Sequence, residues 1–111
     1  MRRRELPPEV RAALAELKDA FVRLYGERLR GLYLYGSYAR GTFNEGSDLD
    51  VLVAIDGDVH PVEEIGRYNE VVSDICLRHD VLIATYPVPE RWLGERKDPL
   101  FANVRREGIP L

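Results

Sequence analysis

Residues 32–55 read LYLYGSYARGTFNEGSDLDVLVAI, and the fold turns on how this stretch is parsed. Leu32 to Tyr35 is a short run of β-forming residues, Gly36 a sharp turn, Thr42 to Gly46 a polar connection, and Ser47 to Ile55 a second strand. Side chains alternate across a strand, so Asp48 and Asp50 share one face while Leu49, Val51 and Val53 take the other. Two carboxylates at that spacing repel each other unless a shared proton or a hard divalent cation lies between them. Mg²⁺ takes oxygen ligands, and one or two protein carboxylates suffice when phosphates complete its shell.

The turn before that strand offers what a phosphate needs. Gly36 permits a tight bend and lets a ligand approach the backbone. Ser37 brings a hydroxyl, and a short helix beginning there would present unpaired amides to an anion. Arg40 adds positive charge close by. A phosphate cradle and a carboxylate pair, joined by two strands, make an expected site for a nucleoside triphosphate with Mg²⁺.

Gly36-Ser37, ten residues, then Asp48-Leu49-Asp50 resembles the signature of the polymerase-beta-like nucleotidyltransferases. The fuller string GSYARGTFNEGSDLDVLV, with Ala39, Arg40, Gly41 and Ser47-Asp48 in place, resembles the minimal nucleotidyltransferases, antitoxin-type partners of helical HEPN proteins. The resemblance covers nearly the whole chain and implies the nucleotidyltransferase fold. It implies Mg²⁺-dependent transfer of a nucleoside monophosphate, AMP from ATP, to an acceptor hydroxyl. Asp48 and Asp50 would be catalytic and would bind the ions of a two-metal site. Gly36, Ser37, Arg40 and Ser47 would hold the nucleotide, although Ser47 also reads as a hydroxyl that merely bonds the start of its strand. The family pattern wants a third catalytic and metal-binding carboxylate on the strand after the second helix. The run Val81 to Tyr86 contains none, so the role falls to Asp80 just before it, which otherwise reads as a helix-to-strand turn residue. That departure leaves a competing reading, a non-catalytic nucleotide-binding or antitoxin module. With no acceptor-binding segment in view, the resemblance also implies that the acceptor belongs to another chain, a HEPN-type partner or a second copy.

Composition sets the frame for these readings. A chain of 111 residues fits one domain over residues 1–111, and 45% hydrophobic with 32% charged residues marks a folded, soluble protein. The net charge of −3 does not support nucleic-acid binding by the whole surface. A single cysteine, Cys76, flanked by Ile75 and Leu77, reads as a small buried hydrophobe and fits a reducing cytoplasm. His60 and His79 lack partners at zinc spacing. No apolar run approaches the ~20 residues of a membrane span, and Arg2 to Arg4, without an apolar run behind them, read as a solvated tail rather than a secretory signal.

The remaining elements follow from periodicity. Pro7-Pro8 opens a helix whose stripe is Val10, Leu14, Leu17, Phe21 and Leu24, ending at Gly26 or Gly31. Asp56-Gly57-Asp58 is a turn. Pro61 opens a second helix with Val62, Ile65, Val72 and Ile75 or Cys76 inward and Tyr68 near that face. Val81 to Tyr86 is a third strand, which Pro87 and Pro89 are expected to end. Trp92 reads as an anchor to the core rather than a base-stacking ring. Pro99 opens a last helix with Leu100, Phe101 and Val104 on one side, and Gly108 closes it. The apolar tail Ile109-Pro110-Leu111 is expected to pack on a partner or a second copy. The predicted fold is a small α/β (α+β) domain with helices packed on a mixed sheet.

Overall fold

The computed structural model describes residues 5–111; the basic start, Arg2 to Arg4, lies outside them. The first helix, α1 (Pro8–Tyr25), begins on a proline and buries Val10, Leu14, Leu17 and Phe21, as the stripe requires. Its last inward residue is Tyr25, one step on from the half-exposed Leu24. A single 3₁₀ turn, Gly26–Arg28, leads into β1 (Leu29–Tyr35). Gly31 therefore lies inside that strand, and the helix ends at Gly26.

A four-residue helix, α2 (Ser37–Arg40), follows the Gly36 turn, and β2 (Leu49–Ile55) runs antiparallel to β1. The long helix α3 (Pro61–His79) then crosses over to β3 (Ile83–Pro89), which lies parallel to β2. A parallel neighbour needs such a crossover, and the helix supplies it. Two short helices, α4 (Trp92–Glu95) and α5 (Pro99–Glu107), precede β4 (Ile109–Pro110). The sheet order is β3-β2-β1-β4.

The two faces of the sheet bury different helices. Leu32, Leu34, Leu49, Val51, Val53 and Ile55 pack with α1 and α3. Leu52 and Val88, with Tyr33, Tyr35 and Tyr86, pack against Trp92, Phe101 and Val104 of α4 and α5. Trp92 is thus a core anchor, edge-on to Phe101 with ring centroids 6.1 Å apart.

Three expectations are corrected. The inner face of α3 is Glu64, Tyr68, Val72 and Ile75, whereas Val62 is 87% exposed and Ile65 lies at the surface. A carboxylate can occupy that face because the Tyr25 hydroxyl donates to Glu64 Oε1 at 2.8 Å, satisfying a buried charge. The prolines do not end β3, which stays paired through Pro87 and Pro89. As an edge strand it needs no amide donor on its outer side. The C-terminal tail does not protrude toward a partner: β4 adds to β1, Ile109 is buried, and the Leu111 amide donates to the Leu32 carbonyl at 2.9 Å.

Candidate nucleotide and metal site

The antiparallel ladder sets Tyr35 opposite Asp50, so the end of β1 and the start of β2 meet at the Gly36 turn. Gly36 has φ +77°, a left-handed conformation that residues with a Cβ adopt only with strain. A Cβ placed there would also collide with the Asp50 carboxylate. Glycine is thus required twice, by its backbone angle and by the carboxylate behind it. The chain then enters α2, whose N-terminus no side chain caps, so its first amides are left for an anionic ligand. Ser37 opens that turn.

Asp48 is exposed and stands just before β2; Asp50, inside the strand, is partly buried. Burial pushes the Asp50 carboxyl above the ordinary aspartate range, Asp48 pushes it further, and Arg40 opposes both. A carboxylate held in this way gains from a bound divalent cation, which removes the repulsion that raises its pKa. Tyr35 belongs to the same cluster: its phenol is raised first by burial, then by Asp50 and Tyr86. The donor set of two adjacent carboxylates, beside a turn with uncommitted amides, fits a hard cation such as Mg²⁺ that carries phosphates with it.

The structure brings Gly36, Ser37, Asp48 and Asp50 together, with Arg40 near enough to act on Asp50. Arg40 is also ion-paired to Glu107 of α5 at 3.7 Å, a tie between distant residues that no local pattern announces. Ser47 is used elsewhere: its hydroxyl accepts from the Asn44 amide at 2.9 Å and its own amide donates to the Asn44 carbonyl at 3.1 Å, closing the connection before β2. Tyr38 stacks on Phe43 with centroids 4.2 Å apart and planes 8° from parallel, which fixes α2 against the same connection.

Asp80 is not brought to the pair. It ends α3 as a left-handed cap, φ 53° and ψ 48°, exposed and before the first residue of β3. Among the described residues, no three His, Cys, Asp or Glu side chains gather into a group able to hold a metal ion. In the parallel register the residue beside Asp50 is Ala84. That is the place a carboxylate on this strand would have to occupy, and its neighbour Thr85 instead shares a hydrogen bond with Tyr68 at 2.8 Å. Register, unlike alternation, was not legible in the sequence.

The nucleotidyltransferase domain family matches residues 14–97, more than half of the chain and all of the site. The chain belongs to this family. The chain is also similar to two proteins of near-equal size from Methanocaldococcus jannaschii. "Putative protein adenylyltransferase MJ0604" is 31% identical over 97 residues, covering 86% of this chain and 91% of its own length. "Putative protein adenylyltransferase MJ0141" is 30% identical over 76 residues, covering 68% and 76% respectively. Two solved structures share the nucleotidyltransferase fold. One is a toxin–antitoxin with AMP-PNP (TM-score 0.60, 19% identity, 94% of this chain and 72% of that one). The other is a mutant of the toxin–antitoxin MntA–HpeT (TM-score 0.59, 21% identity, 87% and 70%). The α/β fold and the nucleotidyltransferase activity expected from Gly36-Ser37 and Asp48-Leu49-Asp50 are thereby borne out. No helix among the described residues is long and apolar enough to cross a membrane.

Proposed function

We propose that this chain transfers AMP from Mg²⁺-ATP to a hydroxyl group of a partner protein. The observation that carries the reading is the meeting of the Asp48 and Asp50 carboxylates with the uncapped first turn of α2, made possible by the missing Cβ of Gly36. Two relatives named as protein adenylyltransferases and a structural neighbour solved with AMP-PNP support ATP as the donor. Toxin–antitoxin neighbours support a protein acceptor, for which a HEPN-type helical partner is the proposed identity. The reducing cytoplasm, where ATP is supplied, is the proposed setting.

Asp48 and Asp50 would hold Mg²⁺, which when bound neutralises the triphosphate and lowers the energy of the attacking oxygen. The first amides of α2, the Ser37 hydroxyl and Arg40 would hold the β- and γ-phosphates. The acceptor oxygen forms a bond to the α-phosphorus, and the bond from that phosphorus to the α–β bridging oxygen breaks. Pyrophosphate leaves with the electron pair, and the hydroxyl proton passes to water. The protein's part is positioning and charge neutralisation rather than covalent chemistry.

The test is incubation of the purified protein with α-labelled ATP, Mg²⁺ and the protein encoded beside it. Label on the partner is expected; label confined to free nucleotide would remove the transfer. A second reading, a nucleotide-binding module that acts by covering its partner, is favoured by one observation. Ala84, and no carboxylate, stands beside Asp50 on β3. Binding of Mg²⁺-ATP without pyrophosphate release would select it.

A further inference from the structure

Helix α5 ends on a carboxylate, at the place where a helix dipole favours cations. Arg105 and Arg106 in the same last turn follow that preference, and Glu107 goes against it. Its position is fixed from the chain on both sides. Gly108 packs so closely on the Val104 carbonyl that a Cβ there would collide with it. Ile109 then pairs with Leu34 of β1, the strand that leads into the Gly36 turn. The two oxygens of Glu107 go to two arginines: Oε1 lies 3.9 Å from Arg106 Nε, and Oε2 lies 3.7 Å from Arg40 Nη1. Arg106 is itself tied down, its Nη2 donating to Asn103 Oδ1 at 2.6 Å. The one ion pair of Arg40 among the described residues thus uses Nη1 and leaves Nε and Nη2 uncommitted. The same guanidinium eases the charge on Asp50. Glu107 grips one corner of a planar five-donor fork and leaves the rest of it for an anion.

We propose that Glu107 is a positioning residue for nucleotide binding, holding the Arg40 guanidinium in place to receive the β- and γ-phosphates of the triphosphate. The proposal rests on the adenylyl-transfer reading above and adds what orients its phosphate-binding arginine. The sign of the effect follows from the charges. A lone carboxylate near a triphosphate would repel it, but Arg106 offsets Glu107. Two arginines against one glutamate leave the Arg106–Glu107–Arg40 chain with a net charge of +1, which still attracts an anion. A side chain that is already held also loses less freedom when phosphate immobilises it. The size of the effect follows from exposure. The Arg40 side chain is 44% and that of Glu107 29% exposed, so the pair is a weak one and its contribution modest.

The test is calorimetry of Mg²⁺-ATP binding to the full chain and to three variants, Glu107→Gln, Arg40→Gln and the two combined. Arg40→Gln should weaken binding about tenfold, the loss of a charge-assisted phosphate contact. Glu107→Gln should weaken it about threefold. In the Arg40→Gln background the same change should cost nothing further, because the group it positions is gone. A purely structural role for Glu107 would persist without Arg40, so the combined variant separates the two. Unchanged or tighter binding by Glu107→Gln, or an equal weakening with and without Arg40, would overturn the proposal. Full affinity in Arg40→Gln would overturn it by taking Arg40 off the phosphates while sparing the carboxylate pair. Failure of the unaltered chain to bind Mg²⁺-ATP would instead bring down the nucleotide site beneath it, and the proposal with it.

Discussion

Gly36 and Asp50 share one space: the carboxylate of Asp50 occupies the volume that a Cβ on Gly36 would fill. Gly36→Ala should therefore do two kinds of damage. The left-handed φ and the overlap should cost about 1–3 kcal/mol of stability, read by urea denaturation. Displacement of Asp50 should weaken Mg²⁺-ATP binding at least about tenfold, read by calorimetry. A variant that binds like the wild type would mean that Asp50 is not a ligand.

Asp50 should make the metal-free protein sensitive to pH. Its carboxyl is raised by burial and by Asp48, so the folded chain holds that proton more tightly than the unfolded one. The resulting stability is fully present below the ordinary aspartate value of about 3.9 and is lost as pH rises through the raised folded value. Asp50→Asn removes the titration, so the variant should overtake the metal-free wild type across that window. Excess Mg²⁺ should restore the wild type and leave the variant unchanged. Melting curves at several pH values, with and without Mg²⁺, give the comparison.

Tyr25 keeps a carboxylate buried. Its hydroxyl donates to Glu64, which is 3% exposed and whose other ion-pair partner among the described residues is Arg67 at 3.9 Å. Burial and Glu64 both push the phenol far above its ordinary value, so it stays a donor at every accessible pH. Tyr25→Phe should destabilise the fold by about 1–3 kcal/mol, and adding Glu64→Leu should recover part of that loss. Additive losses in the double variant would show that the pair is not coupled.

Ile109 is expected to matter to the sheet and not to a partner. Ile109→Ala should cost about 2 kcal/mol or more of stability, because the side chain is buried under β4's pairing to β1. Acceptor labelling measured well below the melting temperature should be kept. Loss of labelling without loss of stability would return the tail to the role of a docking segment.

Asp80 and Ala84 test which position on this side of the sheet could complete a metal site. Asp80→Asn should leave Mg²⁺-ATP affinity unchanged, because the residue caps α3 away from Asp50. Ala84→Asp, which sets a carboxylate beside Asp50, should tighten Mg²⁺ binding about tenfold. A Mg²⁺ affinity that follows Asp80 instead would restore it to the metal site.

Most of this site was legible because it is local. Strand alternation placed Asp48 and Asp50 opposite Leu49 and Val51, and the glycine turn set Ser37 at the head of a helix. What escaped depends on contacts between distant residues. A buried glutamate interrupts the apolar stripe of α3, and its justification, Tyr25, lies at the end of another helix. The register of β2 with β3 decides that Ala84 rather than Asp80 flanks Asp50, and no pattern within either strand encodes it. The prolines misled for a related reason: their cost depends on which side of the strand is vacant, and only the sheet order shows that β3 is at an edge.

The placement of those prolines has a consequence for assembly. The Leu82 carbonyl accepts from the Leu49 amide and the Glu90 amide donates to the Ile55 carbonyl, so the even positions of this segment turn their backbone groups toward β2 and the odd ones, Pro87 and Pro89 among them, face outward. At the opposite edge the Leu111 amide is turned to β1, which leaves Pro110 outward. At these positions each rim lacks the hydrogen-bond donor that an incoming strand would look for, while Ile83 and Thr85 keep theirs at the start of β3. Lengthening of the sheet is therefore hindered at the Pro87–Pro89 end of β3 and at β4, and complexes formed at those places are expected to use side-chain surfaces rather than zip backbone to backbone.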